Sequence, residues 1–248
     1  MKKFWDSFLD SPDDIIYRAA PRFIMEVMRK YFRLQVEGLE NIPKKGPVII
    51  APNHSGYSGF DAMILAYEIY KATGRTPRVL THHLWFITKT TSIPASKLGF
   101  IEATTKNGMA TLEKKKMIIL FPEGEYGNFK PTSKAYQLQE FKRGFVRMAL
   151  QTGAPIVPTM IVGAEETHIN LKQIKFSKLL RGVVLPLPLN VIPLPAKWKI
   201  KFLKPIDLPY KASAANDRAL VREIAEDIRE MGQDNIKKET VNRDGIFF

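Results

Sequence analysis

Short apolar runs that end abruptly in polar turns recur along this chain. One run covers residues 47–50 and is ended by Pro52-Asn53, and a similar run at residues 117–120 stops at a turn containing Pro and Gly. Runs of this length, bounded by turn residues, are typical of buried strands. The same pattern predicts further strands at residues 32–38, 78–81, 156–162 and 199–203.

Segments with helical spacing separate these strands. Helices are predicted over residues 61–73, 107–116, 141–150 and 217–231, with shorter or ambiguous helical stretches at 84–90 and 95–99 and a possible basic helix at 171–182. Alternating strands and helices predict an α/β fold: a single domain with a largely parallel central sheet flanked by helices. A chain of 248 residues suffices for one such domain.

The N-terminal segment, residues 1–34, is predicted to contain an amphipathic helix that precedes a domain at 35–248. Its pattern is clearest at residues 21–34, where apolar and charged side chains occupy opposite faces. Such a helix could lie in a bilayer interface or pack on the core of its own protein, and amphipathicity alone does not separate the two. The apolar face is Phe23, Ile24, Val27, Met28 and Tyr31.

Two other apolar stretches allow alternative interpretations. Leu84, Trp85, Phe86 and Ile93 could line a groove for an acyl chain, but base rates favour the core. Residues 183–195 are apolar and interrupted by prolines, which excludes a long helix. This stretch could dip into lipid or cross the core as a loop.

Composition narrows the function. The chain has no Cys, which excludes disulfides and thiolate chemistry, and its four His have no recognisable ligand spacing, so no metal is expected. The formal net charge of +13 favours an anionic partner. No nucleic-acid-binding module is recognisable and no nucleic acid is expected, so an anionic membrane surface fits better. No apolar run reaches the eighteen residues of a plain transmembrane helix.

Candidate chemistry follows the first strand. His54 comes just after residues 47–50, and Asp61 opens the next helix after a turn rich in Gly and Ser. This geometry can pair an imidazole with a carboxylate that orients it as a general base. For these two residues alone, an ordinary helix cap at Asp61 is the preferred interpretation.

A second motif changes that preference. His54-Ser55-Gly56 with Asp61, followed by Phe121-Pro122-Glu123-Gly124, resembles the glycerolipid acyltransferase superfamily, and residues 154–158 resemble its Val-Pro motif. The resemblance covers about residues 35–210. The spacing of His54 and Asp61 is most similar to the branch related to monoacylglycerol and diacylglycerol acyltransferases. The family's Gly-x-Ile motif would fall at Gly99, but no Arg follows it, which leaves the acceptor's phosphate open.

The resemblance implies roles for specific residues. His54 would take a proton from the acceptor hydroxyl, with Asp61 orienting it, and Glu123 and Gly124 would bind the acceptor. Arg143, with its basic neighbours Lys142 and Arg147, could hold phosphates of an acyl donor, although a solvated face is the commoner role of such residues. The remaining predicted substrate-binding residues are Phe121, Pro122, Ser55 and Lys106, the cation nearest to the missing Arg.

The sequence therefore predicts an O-acyltransferase, similar to 1-acylglycerol-3-phosphate acyltransferases, that is cytoplasmic and peripheral on the membrane. It would move a fatty acyl group from acyl-CoA or acyl carrier protein, a co-substrate rather than a cofactor, to a hydroxyl of a lipid or glycerol-like acceptor. No acyl-enzyme is required, because no Gly-x-Ser-x-Gly elbow surrounds Ser55. The alternatives are a non-catalytic lipid-binding protein of the same fold, an acyl thioesterase and a basic nucleic-acid-binding protein.

Overall fold

A seven-stranded sheet forms the centre of the computed structural model, which describes residues 19–55, 58–175 and 184–247. The order of its strands is β1-β9-β6-β2-β5-β3-β4. The strands are β1 (Gln35–Glu37), β2 (Val48–Pro52), β3 (Arg78–Thr81), β4 (Phe100–Glu102), β5 (Met117–Ile119), β6 (Ile156–Val162) and β9 (Lys199–Phe202).

Five neighbouring strands, β6, β2, β5, β3 and β4, run parallel. β9 pairs antiparallel with β6, and β1 pairs parallel with β9. The predicted α/β fold with a largely parallel sheet is confirmed. Because β2 and β5 are adjacent and parallel, the loops that follow them emerge side by side at one edge of the sheet, where ligands of such sheets bind.

Both faces of the sheet are covered by helices. Successive side chains of a strand point to opposite faces, so Ile49 joins one core cluster and Ile50 the other. The helices are α1 (Ala20–Tyr31), α2 (Phe60–Thr73), α3 (Lys89–Lys97), α4 (Thr105–Glu113), α5 (Glu125–Asn128), α6 (Gly144–Thr152) and α7 (Arg218–Val241). The cluster of Ile49 contains side chains of α4, α6 and α7, and that of Ile50 contains side chains of α1 and α2.

A two-stranded antiparallel sheet replaces the predicted helix at 171–182. It pairs β7 (Asn170–Lys175) with β8 (Val184–Pro188), and residues 176–182 of the predicted helix lie outside the described ranges. The Asn170 side chain fixes the pairing: its amide donates to the Phe129 carbonyl at 2.5 Å, and its oxygen accepts from the Leu187 N–H at 3.0 Å. Long-range bonds of this kind are invisible to a helical pattern.

The predicted core position of Leu84, Trp85 and Ile93 is wrong. Leu84 and Trp85 lie in a 3₁₀ turn beyond β3 and Ile93 lies in α3, and all three side chains are exposed, with Trp85 at 51%. α3 continues through Pro94 and so crosses the gap between the two ambiguous helical stretches at 84–90 and 95–99. Two boundaries also differ: α4 stops at Glu113, because Lys115 adopts a positive φ of 55°, and α7 runs ten residues past Met231.

The first described helix is oriented with its charges inward. Glu26 accepts hydrogen bonds from Tyr67 and Lys71 of α2 (both 2.8 Å), and Arg29 contacts the buried Glu68 of α2 at 2.5 Å. The hydrogen bonds from Lys71 and Tyr67 lower the pKa of Glu26 to about 2. Most of the predicted apolar face points outward instead: Phe23, Ile24, Val27 and Tyr31 are exposed, while Met28 packs against the core.

Exposed apolar residues after β8 lie beside this helix. The Tyr31 hydroxyl donates to the Pro193 carbonyl at 2.6 Å, and Val191 and Ile192 are each 80% exposed. α1 and this segment therefore form neighbouring apolar surfaces. Within the described ranges, no helix has the length and apolar character needed to span a bilayer.

Candidate active site

The end of β2 is fixed by Asn53. Its buried side chain donates to the Ile161 carbonyl at 3.0 Å and accepts from the Ile161 N–H at 2.7 Å, which ties β2 to β6. His54 thus leaves the sheet from a rigid point.

His54 and Asp61 are in direct contact. The His54 Nδ1 lies 2.6 Å from the Asp61 Oδ2, and Asp61 is fully buried. The same carboxylate accepts from the N–H groups of Ser55 (3.0 Å) and Ala62 (2.7 Å). Since an ionised carboxylate only accepts, the His54 Nδ1 donates to it, and in the neutral imidazole this tautomer leaves a free lone pair on Nε2. Asp61 is not the N-cap of α2, which is Gly59, but it accepts from the Ala62 N–H of the first turn, so it serves the start of the helix and the imidazole together.

Phe121 packs on the imidazole. The two rings are stacked, with centroids 3.9 Å apart and planes 24° from parallel. Phe121 therefore restricts the plane of the His54 ring, while the side chain of His54 remains 15% exposed. The predicted substrate-binding residue supports the base in this structure.

Glu123 holds the backbone on either side of the site. Its Oε1 accepts from the His54 N–H at 2.9 Å, and its Oε2 accepts from the Gln139 N–H at 2.7 Å. The side chain is fully buried. The predicted contact between Glu123 and an acceptor hydroxyl would therefore require the surrounding loops to move.

Two glycines make room around this carboxylate. A Cβ on Gly127 would lie 2.5 Å from the Cβ of Glu123, so any side chain there would clash with it. Gly124 has a φ of +58°, and a Cβ there would meet the Lys142 Nζ at 2.7 Å. The Lys142 N–H in turn donates to the Pro122 carbonyl at 2.8 Å, so the motif loop and residue 142 are joined by their backbones.

A cleft of about 520 Å³ opens beside the motif loop. Glu123 lies on its inner wall, and three cations line it: Lys142, Arg143 and Arg147. Arg143 pairs with Glu140 at 3.0 Å, and Lys142 lies 3.7 Å from Glu125. Arg143, which the sequence proposed as a phosphate-binding residue, lies in this cleft together with Tyr126, Gln139 and Phe141, and its role in binding stays a prediction.

Ser55 and Lys106 lie away from this cleft. The Ser55 side chain is buried and lines a small cavity of about 20 Å³, room for roughly one water molecule, together with polar residues such as Lys130, Glu165 and His168. Lys106 is exposed in the first turn of α4, after β4, which is three strands from β2 in the sheet. Their roles in binding substrate stay predictions.

His82 and His83 follow β3, with ring centroids 4.2 Å apart. Burial lowers the pKa of His82 and the neighbouring His83 and Lys142 add to this effect, whereas Glu125 opposes it. Among the described residues, no group of three or more His, Cys, Asp or Glu could hold a metal ion.

Sequence reasoning missed two buried charged residues behind Glu123. Lys130 lies 3.8 Å from Glu123 and 2.8 Å from Glu165. Burial raises the pKa of Glu165 to about 7, although Lys130 opposes the shift. A lysine in a loop and a glutamate after β6 resemble surface charges in sequence, and only the tertiary fold joins them.

Comparisons with known proteins agree with this geometry. A family model described as Acyltransferase matches residues 33–162, which include both motifs. An uncharacterised protein of Mycobacterium tuberculosis is 34% identical over 233 residues, covering 89% of this chain and 65% of that protein. The chain thus spans about two thirds of the length of that relative. The chloroplast 1-acyl-sn-glycerol-3-phosphate acyltransferase BAT2 of Brassica napus is 24% identical over 137 residues, covering 54% of this chain and 38% of that protein.

The fold also matches a solved structure. The crystal structure of the 1-acyl-sn-glycerophosphate acyltransferase of Thermotoga maritima aligns with a TM-score of 0.56 and 18% identity, covering 95% of this chain and 87% of that chain. At this identity, the match supports the fold alone. The more specific resemblance to the branch of monoacylglycerol and diacylglycerol acyltransferases stays a prediction. Since the family model spans more than half of the sequence, the chain belongs to the Acyltransferase family, within the glycerolipid acyltransferase superfamily.

Proposed function

We propose that this protein is a lipid acyltransferase that works at a membrane surface. It moves a fatty acyl group from acyl-CoA or acyl carrier protein to a hydroxyl of a lipid or glycerol-like acceptor. The observation that carries the proposal is the 2.6 Å contact between His54 and the buried Asp61 at the edge of the parallel sheet. The cleft is adjacent, because Glu123, which lines it, accepts a hydrogen bond from the His54 N–H.

His54 acts as the general base. Its Nε2 takes the proton of the acceptor hydroxyl as the oxygen attacks the thioester carbonyl, and Asp61 stabilises the imidazolium that forms. Collapse of the tetrahedral intermediate breaks the carbon–sulfur bond, and the imidazolium returns the proton to the leaving thiolate. The products are an ester and a free thiol, and no acyl-enzyme is needed.

The basic wall of the cleft binds the phosphates of the donor. Arg143 and Arg147 lie on or just before the first turns of α6, where the helix dipole also favours an anion. A CoA thioester carries several phosphate charges, and the phosphopantetheine of a carrier protein carries one. Lys142, which reaches over Gly124, adds a third cation beside the motif loop.

Exposed apolar residues near the cleft suit an acyl chain. The charges of Lys142 and Glu125 affect the pKa of His82, which supports a path for the acyl chain from the cleft toward the turn after β3. Leu84 and Trp85 of that turn are exposed. We assign them to the path of the acyl chain, the groove that the sequence allowed as an alternative to core.

The orientation of α1 supports a membrane surface. The charged face of α1 forms ion pairs with α2. Its apolar face points outward, and Phe23 on this face is 71% exposed. The exposed Val191 and Ile192 lie next to this helix. An outward apolar helix with exposed cations such as Lys30 at its end suits the interface of an anionic bilayer.

The sequence and the structure specify the acceptor less closely than the acyl donor. Ala103 follows the Gly99-Phe100-Ile101-Glu102 segment, where the family's Arg is expected. The named plant relative acts on a phosphate-bearing acceptor. A neutral acylglycerol and a lysophosphatidate therefore both belong in the test.

The test is acyl transfer by purified protein, with labelled long-chain acyl-CoA or acyl carrier protein and both classes of acceptor. Labelled ester from wild type, and none from the His54→Ala variant, is the expected result. Loss of thioester without ester would indicate a thioesterase. Lipid binding that is equal in wild type and variant, with no turnover of any donor, would overturn the proposal in favour of a binding protein.

A further inference from the structure

Three charged side chains form a buried row behind the catalytic base. The Lys130 Nζ lies 2.8 Å from the Glu165 Oε1 and 3.8 Å from the Glu123 Oε2, and all three side chains are at most 5% exposed. Glu123 itself accepts from the His54 N–H. The row therefore reaches from the end of β6 to the backbone of the base.

These charges are costly to bury and must be retained for a reason. Removing an ionised side chain from water costs several kcal/mol unless a partner compensates. Lys130 is the buried partner of both carboxylates, at 2.8 Å from Glu165 and 3.8 Å from Glu123. Burial raises the pKa of Glu165 to about 7, Lys130 opposes this shift, and the charge of Glu123 adds to it. A buried ion pair is weak evidence for stability, and its geometry points to positioning instead.

The row also pins the loop that forms one wall of the cleft. The Glu165 Oε2 accepts from the Tyr136 N–H at 2.8 Å, and Lys130 donates to the Gln137 carbonyl at 3.2 Å. Glu123 accepts from the Gln139 N–H. The loop is thus held at three points shortly before it supplies Lys142 to the cleft.

We propose that Lys130 and Glu165 are positioning residues for the acyl transfer. Their buried ion pair holds the Glu123 carboxylate in place, and this carboxylate holds both the backbone of His54 and the wall of the cleft. The inference rests on the proposed role of His54 as the base.

Other charged groups near the row are already paired. Arg229 of α7 forms an ion pair with Glu226 at 2.5 Å. The charge of Glu123 also contributes to the raised pKa of Arg229. Arg243 pairs with Glu166 beside Tyr136. His168 shares the small polar cavity with Lys130 and Glu165, and burial lowers its pKa.

The first test is the Lys130→Met variant. It removes the charge but keeps a long apolar side chain, so the two carboxylates repel each other and Glu123 loses its support. We expect kcat per folded molecule to fall about 10- to 100-fold, with a smaller change in the KM for acyl-CoA, because misplacement of a base by a fraction of an ångström is costly. Lys134→Met is the matched control, since Lys134 is exposed in the same loop.

Two further variants separate positioning from general packing. Lys130→Arg keeps the charge and should recover most of the lost kcat. The double variant Lys130→Met with Glu165→Gln removes both members of the ion pair and should be more active than Lys130→Met alone, because no surplus carboxylate remains to push on Glu123. A residue that only filled space would give neither result.

Thermal unfolding of Glu165→Gln tests the buried row without any substrate. The raised pKa means that protonated Glu165 stabilises the fold below its ordinary value of 4.5, and this stabilisation is lost as the pH rises through about 7. The stability of wild type relative to Glu165→Gln should therefore decline across this interval. This readout remains valid if Lys130→Met does not fold.

The outcomes distinguish the two claims. If wild type transfers no acyl group, the proposed function fails, while the unfolding experiment still tests the buried row. If transfer occurs but the folded Lys130→Met variant keeps the kcat of Lys134→Met, the positioning role is overturned. If Lys130→Met does not fold, a folded Glu165→Gln variant with the kcat of wild type would likewise overturn it, because the ion pair would then not position Glu123.

Discussion

Two buried carboxylates hold His54, and they hold different parts of it. Asp61 binds the imidazole and is itself fixed by two backbone N–H groups, that of Ser55 after β2 and that of Ala62 in the first turn of α2. Glu123 binds the backbone N–H of His54 and is supported from behind by Lys130. Asp61 therefore determines the tautomer and orientation of the imidazole, whereas Glu123 determines the position of the His54 backbone.

The largest effect is expected at the imidazole side. In Asp61→Asn, the amide can present a donor to the His54 Nδ1, which favours the wrong tautomer and removes the free lone pair from Nε2. We expect kcat to fall by about 10³- to 10⁴-fold with the KM for acyl-CoA little changed. Steady-state kinetics and a donor-binding measurement check this. Unaltered turnover would show that the pair does not serve as the base.

Loss of the Glu123 carboxylate, which holds the His54 backbone, should reduce activity less than Asp61→Asn does but should reduce stability more. In Glu123→Gln, one of the two N–H groups faces an amide donor instead of an oxygen, and Lys130 loses a neighbouring charge. We expect about a 10- to 100-fold loss of kcat and about 2–4 kcal/mol of the free energy of unfolding. Chemical denaturation with activity per folded molecule measures both. If Glu123→Gln instead lost as much kcat as Asp61→Asn and kept the stability of wild type, the two carboxylates would not have different roles.

Gly127→Ala approaches Glu123 without changing its chemistry. The new Cβ would lie 2.5 Å from the Glu123 Cβ and 2.7 Å from its Cδ, so the Glu123 side chain or the backbone must shift. We expect about 1–3 kcal/mol of destabilisation from overpacking, together with reduced kcat. Gly144→Ala is the stability control, because a Cβ there meets nothing within 4 Å. Equal unfolding midpoints for the two variants would contradict the tight packing around Glu123.

The smallest effect is expected outside both carboxylates, on the wall of the cleft. Arg147→Ala removes one of the three cations that line it, so the donor should bind more weakly while the His54–Asp61 pair is untouched. We expect the KM for acyl-CoA to rise about 3- to 10-fold with kcat nearly constant, and the difference to shrink at high salt. A lower kcat at unchanged KM would place Arg147 in the chemistry instead.

Local sequence patterns predicted the motifs that carry His54 and Glu123 but missed the buried charges behind Glu123. The strand ends that carry His54 and Glu123 were visible as apolar runs before turns, and adjacent parallel strands then brought them together. Lys130 and Glu165 gave no local signal, since their partners lie far apart in the chain. Their positions follow from a loop path that only tertiary contacts determine.

Two amphipathic helices make the same point. α7 buries its apolar residues Val221 and Ile224, as its pattern suggests. α1 has a clear pattern as well, yet its charges face α2 and Phe23 faces outward. A pattern shows that a helix has two faces, but the partners available to each face decide which one points inward.

The central claim is that His54 is the base of an acyl transfer, and single-turnover transfer tests it most directly. Enzyme in excess over labelled acyl-CoA, with a saturating acceptor, reports ester formation without the influence of product release. The account predicts rapid ester formation by wild type and a rate at least about 10³-fold lower for His54→Ala, with donor binding preserved. Ester formed by His54→Ala at the rate of wild type would contradict the account.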